Sequence, residues 1–150
     1  YAQLSDMIVS KLGAEILILS GKDQGEIATA IANCMEIKPL LAPDDASIEE
    51  LAALMARCDL VVSSDSAPMH IAAAVGTPTV AIFSNVSHRA YHPYLSDNRY
   101  RVVREDIPCS PCAIFGTMPP CPYQYKCINS LSVDRVFDAV RALWLSVNPK

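Results

Sequence analysis

The stretch Asp59-Leu60-Val61-Val62-Ser63-Ser64-Asp65-Ser66-Ala67-Pro68-Met69-His70-Ile71-Ala72-Ala73-Ala74-Val75-Gly76-Thr77-Pro78 decides how this chain is read. An apolar, β-branched run ends at Ser63, and a helix begins within three residues. Ser66 is a good N-cap, and Pro68 suits a first turn. Gly76 closes a short Ala-rich helix, and Thr77 to Phe83 returns as a second apolar strand. A strand, a helix and another strand joined by short loops imply two parallel neighbours, because only a crossover can join parallel strands.

The same alternation extends outward. Upstream, residues 3–12 place Leu4, Met7, Ile8 and Leu12 at helical spacing, with Gly13 as a stop. Glu15 to Ser20 is an apolar run that fits a strand buried on both faces. Residues 26–35 read as helix. Ile37 to Leu41 is a second strand limited by Pro39 and Pro43, and Ser47 with Glu50 forms a capping box for a helix reaching Cys58. Downstream, residues 84–98 read as an irregular loop and Tyr100 to Val103 as a last strand. Ser132 caps a closing helix over 132–146, whose apolar face uses Val133, Val136, Phe137, Val140, Leu143 and Trp144. The fold class expected is α/β: a Rossmann-like parallel sheet with helices on both faces. Ligands on such sheets bind beyond the carboxyl ends of the strands, which singles out the loops at 21–26, 43–47, 64–70 and 84–92.

Composition sets the outer limits. The 150 residues amount to one ordinary domain, 51% hydrophobic and 19% charged, which excludes a disordered chain. No apolar run is long enough for a membrane span. A net charge of −4 provides no broad basic field, so nucleic acid is not expected as a partner. No Asp-x-Asp metal motif occurs, so no metal cofactor is expected to be required.

Six cysteines are many for such a domain. Cys34 and Cys58 each end an apolar helical pattern and read as small core residues. Cys109, Cys112, Cys121 and Cys127 share a segment, 108–127, with Pro108, Pro111, Pro119, Pro120 and Pro122, which excludes a regular helix or central strand there. Four thiolates can hold a structural zinc, yet the second pair lacks the short spacing of a zinc ribbon. Reduced structural thiols, zinc and disulfides all stay open.

The strand–helix junction has a chemistry of its own. Small side chains at Ser66 and Ala67 leave the first amides of the helix reachable, and the positive end of its dipole joins them in a site for an anion such as phosphate. Asp65, at the strand end, can accept from sugar hydroxyls. His70 lies where the dipole disfavours a charged imidazole and is expected to be neutral. The spacing also allows a blander reading, in which Asp65 and Ser66 merely cap a helix and His70 is a core histidine.

The run Asp65-Ser66-Ala67-Pro68-Met69-His70, followed by Ala72 to Ala74, Gly76-Thr77-Pro78 and the strand to Phe83, resembles the signature of glycosyltransferase family 9, the lipopolysaccharide heptosyltransferases. The flanks are similar as well: Ile16 to Gly21 with Gly25-Glu26, Ser47 to Leu51, and the four clustered cysteines with the final helix. The resemblance implies a GT-B glycosyltransferase, of which this chain is the C-terminal donor-binding domain, with the N-terminal acceptor domain and its catalytic base absent. It implies an inverting transfer of heptose or another sugar from a nucleotide-diphosphate sugar, ADP-heptose or similar, to a lipid-linked glycan of the cell envelope. The place implied is the cytoplasm, at the inner face of the cytoplasmic membrane for a full-length protein. Donor and phosphate contacts would fall to Lys22, Asp65, Ser66, Ala67 and His70, and nucleotide contacts to Glu26, Asp45 and Ala46. No catalytic residue is assigned within the chain.

Two stretches depart from the family pattern. Ala67 stands where Gly is usual, and Phe83-Ser84-Asn85-Val86 replaces Phe-Gly-Pro-Thr. They motivate a second expectation, a non-catalytic Cys-rich metal-binding or interaction module on a diverged transferase scaffold. His88, Arg89 and His92 follow in the same loop and read as solvated or as facing the cleft.

Overall fold

The computed structural model describes residues 1–21, 23–113, 117 and 119–148. The chain divides into two compact units, Tyr1–Leu54 and Met55–Lys150.

In the first unit, helix α1 (Ala2–Leu12) buries Leu4 and Ile8, one turn apart, and stops at Gly13, whose φ of 66° suits a residue without Cβ. Strands β1 (Leu17–Ile18) and β2 (Leu40–Leu41) pair in parallel, Leu17 opposite Leu40. Both are much shorter than their apolar runs. Pro39 cannot donate to a ladder, so pairing begins only at the Leu40 N–H, which donates to the Ile16 carbonyl at 2.8 Å. The run around β1, expected to be buried on both faces, is only half-buried, and both residues of β2 are exposed. Helix α2 (Gly25–Asn33) joins the two strands, and α3 (Ile48–Ala56) follows β2. The capping box at α3 is formed in both directions. The Glu50 N–H donates to Ser47 Oγ at 3.2 Å, and the Ser47 N–H donates to Glu50 Oε2 at 2.8 Å.

The second unit holds a three-stranded parallel sheet, β3 (Val61–Ser64), β4 (Thr79–Ile82) and β5 (Tyr100–Val103), in that order. All four residues of β4 are buried, as a central strand covered on both faces requires. Met69, from helix α4 (Ala67–Ala74), packs with Ala81 and Phe83, and Val102 lies against them. Val80 and Ile82 alternate to the other face and are just as buried. Helix α7 (Val133–Val147) packs on β4 and β5. It buries Val136, Phe137, Val140 and Leu143, and the Ser132 hydroxyl accepts the Arg135 N–H at 3.2 Å. Thr77 and Thr79 are buried with their hydroxyls satisfied by the carbonyls of Met55 and Thr77, at 2.8 and 2.9 Å.

Two single-turn helices fall where irregular chain was expected. Helix α5 (His88–Tyr91) lies within the 84–98 loop, and α6 (Lys126–Asn129) begins inside the cysteine segment, beyond Pro122, its last proline. Cys34 is exposed at the end of α2 and Cys58 half-buried, so the expectation of core thiols fails for Cys34 outright. Among the described residues no helix is long and apolar enough to cross a membrane.

Candidate functional site

In the second unit Ser64 lies opposite Ile82, so the chain leaves β3 and β4 at the same edge of the sheet. The Asp65 N–H extends the ladder by one bond, to the Ile82 carbonyl at 3.0 Å, which holds the Asp65 backbone at the strand end. Its side chain is half-buried. Burial pushes its carboxyl above the usual range, and the neighbouring His70 works against that rise.

Ser66 takes the N-cap position, with φ −162° and ψ 172°, but its hydroxyl does not cap α4. It turns back to the strand, donating to the Ser64 carbonyl at 3.2 Å and standing 3.3 Å and 3.4 Å from the hydroxyls of Ser64 and Ser63. The expected side-chain cap is therefore absent. Three serines so close satisfy one another, which draws Ser66 Oγ away from the helix amides. Pro68 has no N–H, and the Met69 N–H is bonded to the Ser66 carbonyl at 3.1 Å. Among the described residues the amides of Ser66 and Ala67 have no acceptor, and both residues are exposed. These are donors of the kind an anion needs at a helix N-terminus. His70 is exposed one turn further on, which excludes the core-histidine reading.

The loop after β4 is tied to the cysteine segment. The amides of Cys112 and Ala113 both donate to the Asn85 carbonyl at 2.9 Å, and Ser110 Oγ donates to the Ser84 carbonyl. Ser84 and Asn85, two of the residues that depart from the family pattern, are thus held by hydrogen bonds from the Cys-rich segment, a link that nothing in the local sequence announces. His92 stacks on Tyr100, with ring centres 5.6 Å apart, and Arg89 is exposed.

In the first unit the loops after β1 and β2 converge on an open cleft of ≈ 680 Å³, lined by Asp23, Gly25, Glu26, Thr29, Asn33 and Asp44 among others. Glu26 is one of two carboxylates that the first loop and helix α2 bring to it. Asp45 and Ala46 are not among its lining residues, and the carboxylate that the second loop contributes is Asp44's. The loop turns tightly, with the Ala46 N–H 3.4 Å from the Pro43 carbonyl, and spacing cannot tell which of two adjacent aspartates such a turn presents. Gly25 has a reason to lack a side chain, since a Cβ there would lie 3.0 Å from Asp44 Oδ2. Lys22 lies outside the described residues.

Among the described residues no cysteine is joined in a disulfide. Cys127 is buried, and its thiol is pushed up first by burial and then by its neighbours Cys112, Cys121 and Cys109. The quartet thus gathers around Cys127. Among the described residues, however, no three His, Cys, Asp or Glu side chains stand close enough to hold one metal ion. Cys121 Sγ instead accepts the Tyr125 N–H at 3.3 Å.

Comparison with known proteins places these features. A lipooligosaccharide heptosyltransferase 2 of Campylobacter jejuni is 31% identical over 134 residues, covering 86% of this chain and 41% of its own length. The crystal structure of a glycosyl transferase family 9 protein from Veillonella parvula matches with a TM-score of 0.76 at 26% identity, over 96% of this chain and 40% of that one. The structure of the E. coli ADP-heptose LPS heptosyltransferase II shares the fold, with a TM-score of 0.74 at 22% identity, over 97% of this chain and 40% of that one. The chain thus spans about two-fifths of the length of each of these three proteins. The sequence model of glycosyltransferase family 9 (heptosyltransferase) matches residues 1–118, and with the parallel α/β architecture in hand the conclusion is direct: this chain belongs to glycosyltransferase family 9.

Proposed function

We propose that the chain is the donor-binding part of an inverting heptosyltransferase that extends a lipopolysaccharide-type glycan. The observation that carries this reading is the β3–α4 junction, where a half-buried carboxylate stands beside two unpartnered helix amides. Transfer to an acceptor hydroxyl breaks the bond between the anomeric carbon and the diphosphate, and negative charge grows on the departing diphosphate. Amides and a helix dipole aimed at that charge stabilise it without reorganising, and loss of one such donor typically costs about 10²–10³ in rate. In this reading the amides of Ser66 and Ala67 hold the diphosphate and Asp65 accepts from a sugar hydroxyl. His70 balances the Asp65 carboxylate, and Lys22 adds a point charge. Glu26, Asp44, Asp45 and Ala46 serve the nucleoside. ADP-heptose is the donor favoured by the kinship.

The base that deprotonates the acceptor belongs to a part of the protein beyond these 150 residues, as does the contact with the lipid-linked acceptor. The reaction runs on the cytoplasmic side of the membrane, with no metal cofactor and no nucleic-acid partner. The alternative is a non-catalytic Cys-rich metal-binding or interaction module on a diverged transferase scaffold, for which the gathering of Cys109, Cys112 and Cys121 around Cys127 speaks.

Calorimetric titration of the chain with ADP-, UDP- and GDP-sugars tests the proposal. Saturable binding of one nucleotide sugar, tighter than its nucleoside monophosphate, is expected. A folded chain that binds none of them refutes it.

A further inference from the structure

The segments that follow β4 and β5 are joined by a side-chain pair. Arg104, the first residue after β5, lays Nη1 2.9 Å from Nδ1 of His88, the first residue of α5. A guanidinium carries only donors and keeps its proton at any pH a protein survives. Nδ1 of His88 is therefore the acceptor, and the neutral ring carries its proton on Nε2. The guanidinium is itself held: Nη2 donates to the Ser110 carbonyl at 3.3 Å and pairs with Asp106 at 3.3 Å. The imidazole stands edge-on to Phe83, with ring centres 6.3 Å apart at 73°. The charged form is disfavoured in addition. Burial comes first, then Arg104 and Arg89, with His92 adding to them and only Asp106 opposing; together they hold His88 below the usual imidazole range.

Among the described residues Nε2 of His88 has no partner, and the exposed Arg89 beside it has no ion pair. Both lie in the loop after β4, at the sheet edge where Asp65, Ser66 and Ala67 also emerge. A neutral N–H and an unpaired cation in such a loop form a surface for an anionic oxygen. We propose that His88, fixed by Arg104 as the Nε2–H tautomer, donates to a phosphate oxygen of the bound nucleoside diphosphate, with Arg89 adding charge from the same turn. Arg104 is then a positioning residue and His88 a binding one. This rests on the donor-binding reading of the β3–α4 junction.

The test is nitrogen-15 NMR of the chain labelled at its three histidines, titrated with ADP, UDP and GDP. The expected spectrum at pH 7 shows His88 neutral with its proton on Nε2, and the bound nucleotide shifts Nε2 more than Nδ1. Arg104→Gln should mix the tautomers and let His88 titrate at higher pH. His88→Asn, which lacks a donor at the Nε2 position, should weaken the nucleotide about tenfold or more, as loss of a hydrogen bond to a charged acceptor does. His88→Gln, which keeps a donor there, should recover most of that loss. A charged His88 or an Nδ1–H tautomer overturns the proposal from the wild-type spectrum alone, whatever the variants do. A nucleotide that shifts the amides of Ser66 and Ala67 but not His88 overturns it while leaving the donor site standing. Binding by no nucleotide, with His88 in the expected tautomer, removes the donor reading and the role of His88 together.

Discussion

Replacing Asp65 by Asn should separate the cost of this carboxylate from its use. The side chain is half-buried at the end of β3, and burial lifts its pKa above that of a free carboxyl, which is about 3.9. A carboxyl whose folded pKa is raised stabilises the fold fully below its unfolded pKa, and that contribution disappears as pH rises through the folded value. At neutral pH, then, ionised Asp65 works against folding, and Asn removes the charge at nearly constant shape. The variant should melt no lower than the parent at pH 7, and any advantage should vanish below the ordinary carboxylate range. Binding should move the other way. A hydrogen bond to a charged acceptor is worth about 1.5–3 kcal/mol, and the lower half of that range suits a carboxylate still open to solvent. About 1.5–2 kcal/mol corresponds to roughly 10–30-fold in affinity for the nucleotide sugar. The free nucleoside diphosphate, which lacks the sugar hydroxyls, should change by less than about twofold, well under half a kcal/mol. Thermal melts across pH and paired calorimetric titrations read all of this. Equal losses for sugar nucleotide and nucleotide, or a clearly lower melting point at pH 7, would refute the assignment of Asp65 to the sugar.

Other outcomes follow from the same structure. Gly25→Ala places a Cβ 3.0 Å from Asp44 Oδ2 and 3.3 Å from its Cβ, so Asp44 must give way by a few tenths of an ångström. Nucleotide binding should weaken several-fold in a calorimetric titration, and unchanged binding would mean that Asp44 takes no part in it. Ser47→Ala removes one half of the capping box and should cost about 1 kcal/mol in a urea titration, and an unchanged midpoint would mean that the cap is idle. Cys127, buried and raised, should be the slowest of the six thiols to alkylate at pH 8, with exposed Cys34 far ahead of it in a mass-spectrometric time course.

The alternation of apolar runs and amphipathic segments marks the five strands and the five longer helices of the described residues, because burial on a parallel sheet demands it. The β3–α4 junction was legible for the same reason, and its exposed amides are where the spacing put them. The misses share one cause. The Ser66 hydroxyl bonds to Ser64 rather than to α4 because three serines offer it a nearer set of partners. The bond between Arg104 and His88 spans two strand ends and has no local signal at all. Helical and strand periods are written in the chain; side-chain partners across loops are set by the assembled sheet.

The Asn85 carbonyl receives two amides, Cys112 and Ala113, both from outside any helix or strand. Neither N–H can reach solvent until that carbonyl lets go. The two should therefore exchange their hydrogens slowly for irregular chain, and at a common rate, since one opening event frees both. The loop after β4 and the cysteine segment form a single cooperative unit in this sense. The exchange rate of these two amides gives the free energy of that loop's opening, and a ligand that settles on the loop should slow both by the same factor.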